Sequence, residues 1–566
     1  MTGYDLLCRA LEALGVDHVF GLPGSQNVVL FEALRRSKIR TVVPVHELAA
    51  AFMAIGFSRA SGRLGVLTTI PGPGFTFALT GLAEARLDSV PLLHIVQSPV
   101  DESGRAFQLQ AIDQAGIAGP VVKRVLQIRT AADVPRVLVE AHDLAMSGEP
   151  GPVLLEVDAA ALASTVPASV TPFPCPATMR PECSAQELAA VVQLIEESCR
   201  PILLVGQGGN AAAGEVRDLA ERLSCPVLTS TSGRGVVPED HPLAIPSDLS
   251  DVAVINALIA ECDLVLALGI KFSHNGARGF QLQLPPGRLV HVDASQDILG
   301  ANYPAHWPIQ ADVGAFVSAV LGSLSPASPG GSRWSQDDVA SWRRRVKSSM
   351  TVPVEPKVAG VDPPTPARFF ESVRRVLPAD ACLVTDSGWH QMFARRHYSV
   401  QSPRGLLVPT DLQSMSFGLP AAIGAKLAAP ERPVVTLTGD GGLLMAGMDL
   451  VTAARESICL PVIVLNDGQY GLIRLQQLRD YGRPHGVDCG GLDLRAFAAS
   501  TGVAYASADR DIGLALRAAL AAAGPTLIEV TVGDTPAIHR ARAEGLARSA
   551  GRRVGLGRMW GWFRKQ

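Results

Sequence analysis

Short runs of β-branched and other apolar residues, each followed by a longer helical pattern, recur from one end of the chain to the other. They read HVFGLPG and LGVLTTI in the first third, PILLVG, PVLTST, DLVLALG and RLVHVD in the middle, and CLVTD, VVTLTGD, PVIVLND and TLIEVTV in the last. A strand that returns to its sheet through a helix must run parallel to the strand before it. The alternation therefore predicts an α/β protein with three doubly wound parallel-sheet domains. Pro/Ser-rich stretches at 166–182 and 323–366, the second containing SPASPGGS, separate the blocks. The expected division is 1–165, 183–323 and 363–537, followed by a basic tail or lid at 538–566.

Composition narrows the class. With 566 residues, 47% of them hydrophobic and 18% charged, the chain has material for several packed cores. A net charge of -3 supplies no field to gather nucleic acid or a membrane surface, so small-molecule chemistry is expected. The nine cysteines are scattered without a CxxC pair, which fits a reducing cytoplasm rather than a disulfide framework or a zinc site. Asp5, Arg9 and Glu12 interrupt what a secretory leader would keep apolar. The uncharged stretch 159–179 carries Pro167, Pro172, Pro174 and Pro176, which argues for a linker over a membrane span.

Ligands of open α/β sheets gather at the carboxyl ends of strands, which directs attention to the residues just after the apolar runs. Two of these places carry the sharpest signal. VVTLTGDGG ends at Asp440, Gly441 and Gly442, and PVIVLNDGQYG reaches Asp467, Gln469 and Tyr470. Asp440 and Asp467 are about one strand–helix–strand crossover apart, so both carboxylates are expected at one sheet edge. A hard cation takes oxygen ligands and bridges phosphates, while glycines at a helix start let amides approach an anion. GDG alone is also a common tight turn, and the second acidic loop is what favours a metal and a diphosphate.

GDG followed some two dozen residues later by an Asn-Asn pair is the signature of a known group, and here the pair reads Asn466–Asp467. The chain resembles the thiamine-diphosphate enzymes of the acetolactate synthase and benzoylformate decarboxylase family. That resemblance implies thiamine diphosphate and Mg²⁺, with Asp440, Asp467 and the carbonyl of Gln469 as metal ligands. Asp467 stands where the family has Asn, which keeps an oxygen ligand and adds a negative charge. In VPVHELAAAFMAIGFSRA, Glu47 resembles the carboxyl group that activates the cofactor, His46 being structural. The alternative is a glutamate placed at a helix start by the dipole.

DLQSMSFGLPAAIGAKLA is similar to the segment that bends the cofactor. It implies Met415 as the wedge under the rings and the carbonyl of Gln413 as an acceptor. TDSGWHQM resembles the diphosphate loop and places Gly388, Trp389 and His390 near the phosphates, Trp389 replacing a common Gln. Further likeness runs through GLPGS, TIPGPGFTFALTG, AFQ at 106–108, VVKR and GEPGPVLLEV. It suggests Ser25 for a donor carboxylate and Gln108 for a polar group facing the reacting centre.

The departures bear on the substrate. Asn275, in FSHN, stands where acetolactate synthases have an Arg for the acceptor carboxylate, and Gln476 where they have a Trp. Asn cannot make the charged bidentate grip of a guanidinium. Thr68 occupies the place of the decarboxylases' His and is a poor acid or base near neutrality. The expected activity is a carboligase that decarboxylates a small 2-oxo acid, pyruvate first among them, and passes the acyl unit to an acceptor carbonyl. A decarboxylase or a C–C lyase is the alternative, and a non-catalytic nucleotide-binding regulatory protein a more distant one. VGQGG in the middle block is a weak nucleotide motif, and no flavin is assigned. The resemblance also implies a homodimer or homotetramer, with Glu47 of one subunit meeting the metal loop of another.

Overall fold

Strands that are apolar on both sides need cover on both faces, and the chain meets that need three times. The computed structural model describes residues 1–98, 105, 107–166, 180–246, 248–285, 287–325, 334–350 and 355–563. In the first unit β1 (His18–Gly21), β2 (Arg40–Val42), β3 (Gly65–Thr69), β4 (Leu92–Gln97), β5 (Arg124–Ile128) and β6 (Pro152–Val157) form a parallel sheet in the order β2-β1-β3-β4-β6-β5. The central sheet is β11-β10-β9-β7-β8, built from β7 (Pro201–Val205), β8 (Val227–Thr229), β9 (Leu264–Leu268), β10 (Leu289–Asp293) and β11 (Trp307–Gln310).

The third unit contains β12 (Lys357–Val358), β13 (Cys382–Thr385), β14 (Leu406–Leu407), β15 (Val434–Gly439), β16 (Pro461–Asn466), β17 (Ala504–Ser507) and β18 (Thr526–Gly533). Its order is β12-β18-β16-β15-β13-β14, with β17 also paired to β18. Only β12 runs antiparallel among these described strands, as an edge. Three α/β units with essentially parallel sheets are therefore the architecture.

One segment differs from the sequence expectation. Within the stretch read as a 323–366 linker, residues 336–349 form a helix whose first turn is closed by reciprocal hydrogen bonds between Ser335 and Asp338. Val339, Trp342 and Val346 on it enter the core of the central unit, so that unit continues past 323. Apolar residues spaced three and four apart are the signal that the surrounding Ser and Pro obscured. The chain end, expected as a basic tail or lid, is helical over Pro536–Phe563 and buries Ile538 and Ala541. Its Gly545 meets the Leu478 carbonyl so closely that a Cβ would stand 2.0 Å away. Most of the 166–182 linker lies outside the described residues.

The first and third units share one hydrophobic core, and two helices build it. Glu47–Ser61 and Gly418–Ala428 are lined with alanine and buried almost throughout. Small residues let helix backbones approach. A Cβ on Gly56 would lie 1.9 Å from the Ala421 carbonyl oxygen, and one on Gly424 would lie 1.9 Å from that of Met53. Backbone against backbone leaves nothing that can move aside. Gly56→Val is therefore expected to destabilise the protein by about 3 kcal/mol or more, read as a lowered urea midpoint by tryptophan fluorescence, and an unchanged midpoint would contradict the contact.

Candidate active site

Chain order in the third sheet reverses at β13, which has β14 on one side and β15 on the other. Loops leaving neighbouring strands in opposite directions open a crevice at the carboxyl edge. Three loops enter it: 386–392 after β13, 440–442 after β15, and 467–471 after β16. Gly439 pairs with Leu465, so the residues that follow each strand emerge side by side. Asp440 then opens the helix Asp440–Ala446 and Asp467 begins the turn.

One cavity collects these loops. It is lined by Gly388, Trp389, His390, Met415, Asp440, Gly441, Gly442, Asp467, Gln469 and Tyr470. Asp440 is 5% exposed, and its Oδ2 is buried without a hydrogen-bond partner. Burial raises its pKa, which nearby amides of Gly441 and Gly468 oppose. Burial first, and then the charge of Asp440, push Asp467 up to about 6. Two neighbouring carboxylates, one raised by the charge of the other, have the chemistry that suits a divalent cation.

Two nitrogens face the same space. Trp389 Nε1, an N–H donor, and His390 Nε2, whose role depends on the tautomer, are buried and unpartnered. Burial holds the His390 imidazole down to about 4, so it is neutral. Gly471 completes the wall, since a Cβ there would stand 2.3 Å from Asp467 Oδ2 and 2.8 Å from Trp389 Nε1. The Gln469 carbonyl accepts a hydrogen bond from Gly471 N (2.8 Å) and retains a lone pair. The helices that begin at Trp389 and Asp440 add amide groups to this edge. Unpartnered oxygens beside unpartnered N–H groups suit a divalent cation and the diphosphate it bridges.

The other expected residues sit apart from this cavity. Glu47 opens the 47–61 helix, capped by His46, whose Nδ1 accepts from Leu48 N at 3.1 Å. The Glu47 Oε1 lies 3.0 Å from where a Gly74 Cβ would stand, in the first turn of the Pro73–Leu87 helix. Ser25 is exposed and donates to Gln26 Oε1 (3.0 Å). Gln108 donates to the Arg105 carbonyl (2.8 Å), while Ala106 of the same motif lies outside the described residues. Gln413 is near Met415 in sequence but does not line the cavity; its Nε2 donates to the Thr410 carbonyl at 3.3 Å. Thr68 is buried with an unpartnered hydroxyl, and Gln476 is exposed.

Asn275 is occupied elsewhere. Its Nδ2 donates to the Thr410 carbonyl (2.7 Å) and faces Asp411 Oδ1 (3.3 Å), pinning the central unit to the loop that leads to Met415. A second, larger cavity lies between the VGQGG loop, Lys271 and Arg404. There Lys271 Nζ is held by the Leu87 carbonyl, Ser89 Oγ and Glu149 Oε1. Glu84 and Asp88 escaped the sequence reading. Two acids four apart on an otherwise apolar helix, Pro73–Leu87 and its C-cap, were the available signal.

A parallel-sheet unit that aims paired carboxylates and free N–H groups into one crevice is that of an enzyme with a phosphate-bearing cofactor. The models of the thiamine pyrophosphate enzymes match all three units: the N-terminal TPP binding domain at 1–117, the central domain at 188–320, and the C-terminal TPP binding domain at 386–530. The large subunit of acetolactate synthase isozyme 1 from Escherichia coli is 32% identical over 480 residues, 84% of this chain and 83% of that protein. An acetolactate synthase large subunit from Parasynechococcus marenigrum is 31% identical, covering 94% of this chain and 88% of its own length. Acetolactate synthase 1, chloroplastic, of rice is 34% identical, covering 83% and 73%. The chain belongs to the thiamine pyrophosphate enzymes, in the acetolactate synthase family. Thiamine diphosphate is its cofactor, and Mg²⁺ is the metal that usually accompanies it in this family.

Because Asp467 adds a second carboxylate, Asp467→Asn is expected to relieve repulsion in the metal-free protein and to weaken cation binding. Its metal-free melting temperature should rise, and half-saturation by Mg²⁺, titrated calorimetrically, should move up about tenfold. Equal cation affinity in both proteins would remove Asp467 from the metal site.

Proposed function

We propose that the chain is a carboligase that decarboxylates pyruvate with thiamine diphosphate and Mg²⁺ and transfers the two-carbon unit to an acceptor carbonyl. The observation that carries it is the emergence of Asp440 and Asp467 side by side from β15 and β16, within a cavity that Met415, Trp389 and His390 also line. Likeness to acetolactate synthases over most of the chain supports the ligation step and the donor.

In this reading Asp440, Asp467 and the Gln469 carbonyl hold the metal, and Trp389 and the amides of the 389 and 440 helices hold the phosphates. Gly388, Gly441, Gly442 and Tyr470 shape that cradle. The bound cofactor supplies a carbanion that adds to a carbonyl and later stabilises the charge left by departing carbon dioxide. Glu47 governs a proton at its own carboxyl group, in contact with the cofactor. Met415 supports the rings from below, and the Gln413 carbonyl accepts from the amino group. Ser25 and Gln108 orient substrate. Neutral His390 donates or accepts without bringing a charge next to the phosphates.

Every residue that lines the cavity comes from the third unit, among those described, so Glu47 is supplied by a second subunit. Exposed apolar side chains support that assembly: Val45 and Phe77 near Glu47, and Leu444, Met445 and Met448 beyond Asp440. The assembly is a homodimer or homotetramer. Free cysteines among the described residues fit the cytoplasm, and no described helix is long and apolar enough to cross a membrane.

A second reading concerns the acceptor. Asn275 is committed to Thr410 and Asp411 and offers no charge to a carboxylate, which favours an uncharged carbonyl, or none, as in a decarboxylase or lyase. Incubation with pyruvate alone, then with added 2-oxobutyrate or aldehydes, separates these by product. Acetolactate indicates ligation between 2-oxo acids, a hydroxyketone from the aldehyde indicates the second reading, and no release of carbon dioxide sinks the donor assignment. Glu47→Gln should lower turnover by about a hundredfold or more while thiamine diphosphate still binds and the fold persists. Unchanged turnover would take Glu47 out of the mechanism.

A further inference from the structure

Met415 reaches the cavity on a backbone that few side-chain-bearing residues adopt. Gln413 has φ of 59° and Ser416 of 71°, so left-handed residues flank Ser414 and Met415. Such conformations persist only where the surroundings enforce them. The surroundings here belong to the first unit. Glu84 Oε2 accepts from Ser414 N (3.1 Å). Asp88 accepts from Thr410 N (3.0 Å) and Asp411 N (3.1 Å). Arg59 bridges Asp88 (3.1 Å) and the Val408 carbonyl (2.6 Å).

Glu84 is the odd member of this set. It is fully buried, its Oε1 has no partner, and a second acid lies one helical turn away. A helix face that served packing alone would carry an apolar residue there. We propose that Glu84 is a positioning residue, which holds Met415 in its cofactor-supporting place by anchoring the Ser414 amide between two left-handed neighbours. This rests on the reading of Met415 as the support of bound thiamine diphosphate. Burial, and then the charge of Asp88, push Glu84 up to about 7, while Arg59 opposes the rise. A neutral carboxyl is thus accessible at this position, and Gln reproduces its acceptor oxygen.

The test uses the full chain with saturating Mg²⁺ and follows thiamine diphosphate binding by calorimetry alongside the melting temperature of the ligand-free protein. Glu84→Gln should bind within about threefold of the parent, because the acceptor for Ser414 N survives. Glu84→Met should bind about tenfold more weakly with no fall in the ligand-free melting temperature. Adding Gln413→Gly and Ser416→Gly to Glu84→Met should restore most of the affinity, since glycine takes left-handed backbone without enforcement. The inference is overturned if Glu84→Met binds like the parent, or if its weaker binding tracks a lowered melting temperature and the glycines restore neither. A parent protein that takes up no thiamine diphosphate fails the underlying reading instead, and the inference with it.

Discussion

The contact between the 47–61 and 418–428 helices is the constraint that joins the first unit to the third. Gly56 and Gly424 let the two backbones touch, and a row of alanines fills the remainder of the interface. Each helix carries a site segment at its N-terminal end: Glu47 is the first residue of one, and Met415 precedes the start of the other by three residues. A shift of either helix would carry Glu47 or Met415 with it. Glycine lowers helix propensity by roughly 1 kcal/mol per residue, so its presence in the middle of both helices reflects the close approach and not the helix itself.

Burial sets the electrostatics of the same region. Asp386, Asp440, Asp467, Glu84 and Asp88 are all pushed upward, with desolvation the first cause in each case. Their compensation separates them. Asp88 has Arg59 and two amides, Asp386 has amides of the 387 and 417–418 turns, and Glu84 has one amide. Asp440 has the amides of Gly441 and Gly468, and Asp467 has the Gln469 amide and the charge of Arg474, set against the charge of Asp440. Two like charges set side by side in a largely buried loop repel one another, so the loop's own stability is tied to whatever offsets them.

Much of this could be read in the amino-acid order. Asp440 and Asp467 are each preceded by an unmistakable apolar run, and the right-handed crossover rule leaves their strands little choice but to be neighbours. The 336–349 helix was hidden because its apolar positions are few and lie between Pro/Ser-rich stretches. The left-handed backbone at Gln413 and Ser416 had no sequence signal, since neither residue type favours it; only the enclosing contacts require it. Glu84 and Asp88 drew no notice in the sequence. Their partners, Ser414, Thr410 and Asp411, lie more than 300 residues away, a pairing that no local pattern can announce.

That long-range pairing also explains how departures in one unit are felt in another. The 408–416 segment is held from three directions: by Arg59, Glu84 and Asp88 of the first unit, by Asn275 and Ser273 of the central unit, and by its own continuation into the 418–428 helix. Asn275 donates to the carbonyl of the same Thr410 whose N–H donates to Asp88, so the central unit and the first unit grip one residue from its two sides. Asn275 therefore acts in this fold as one more restraint on the segment that carries Met415, and a change at 275 would reach the cavity through that loop.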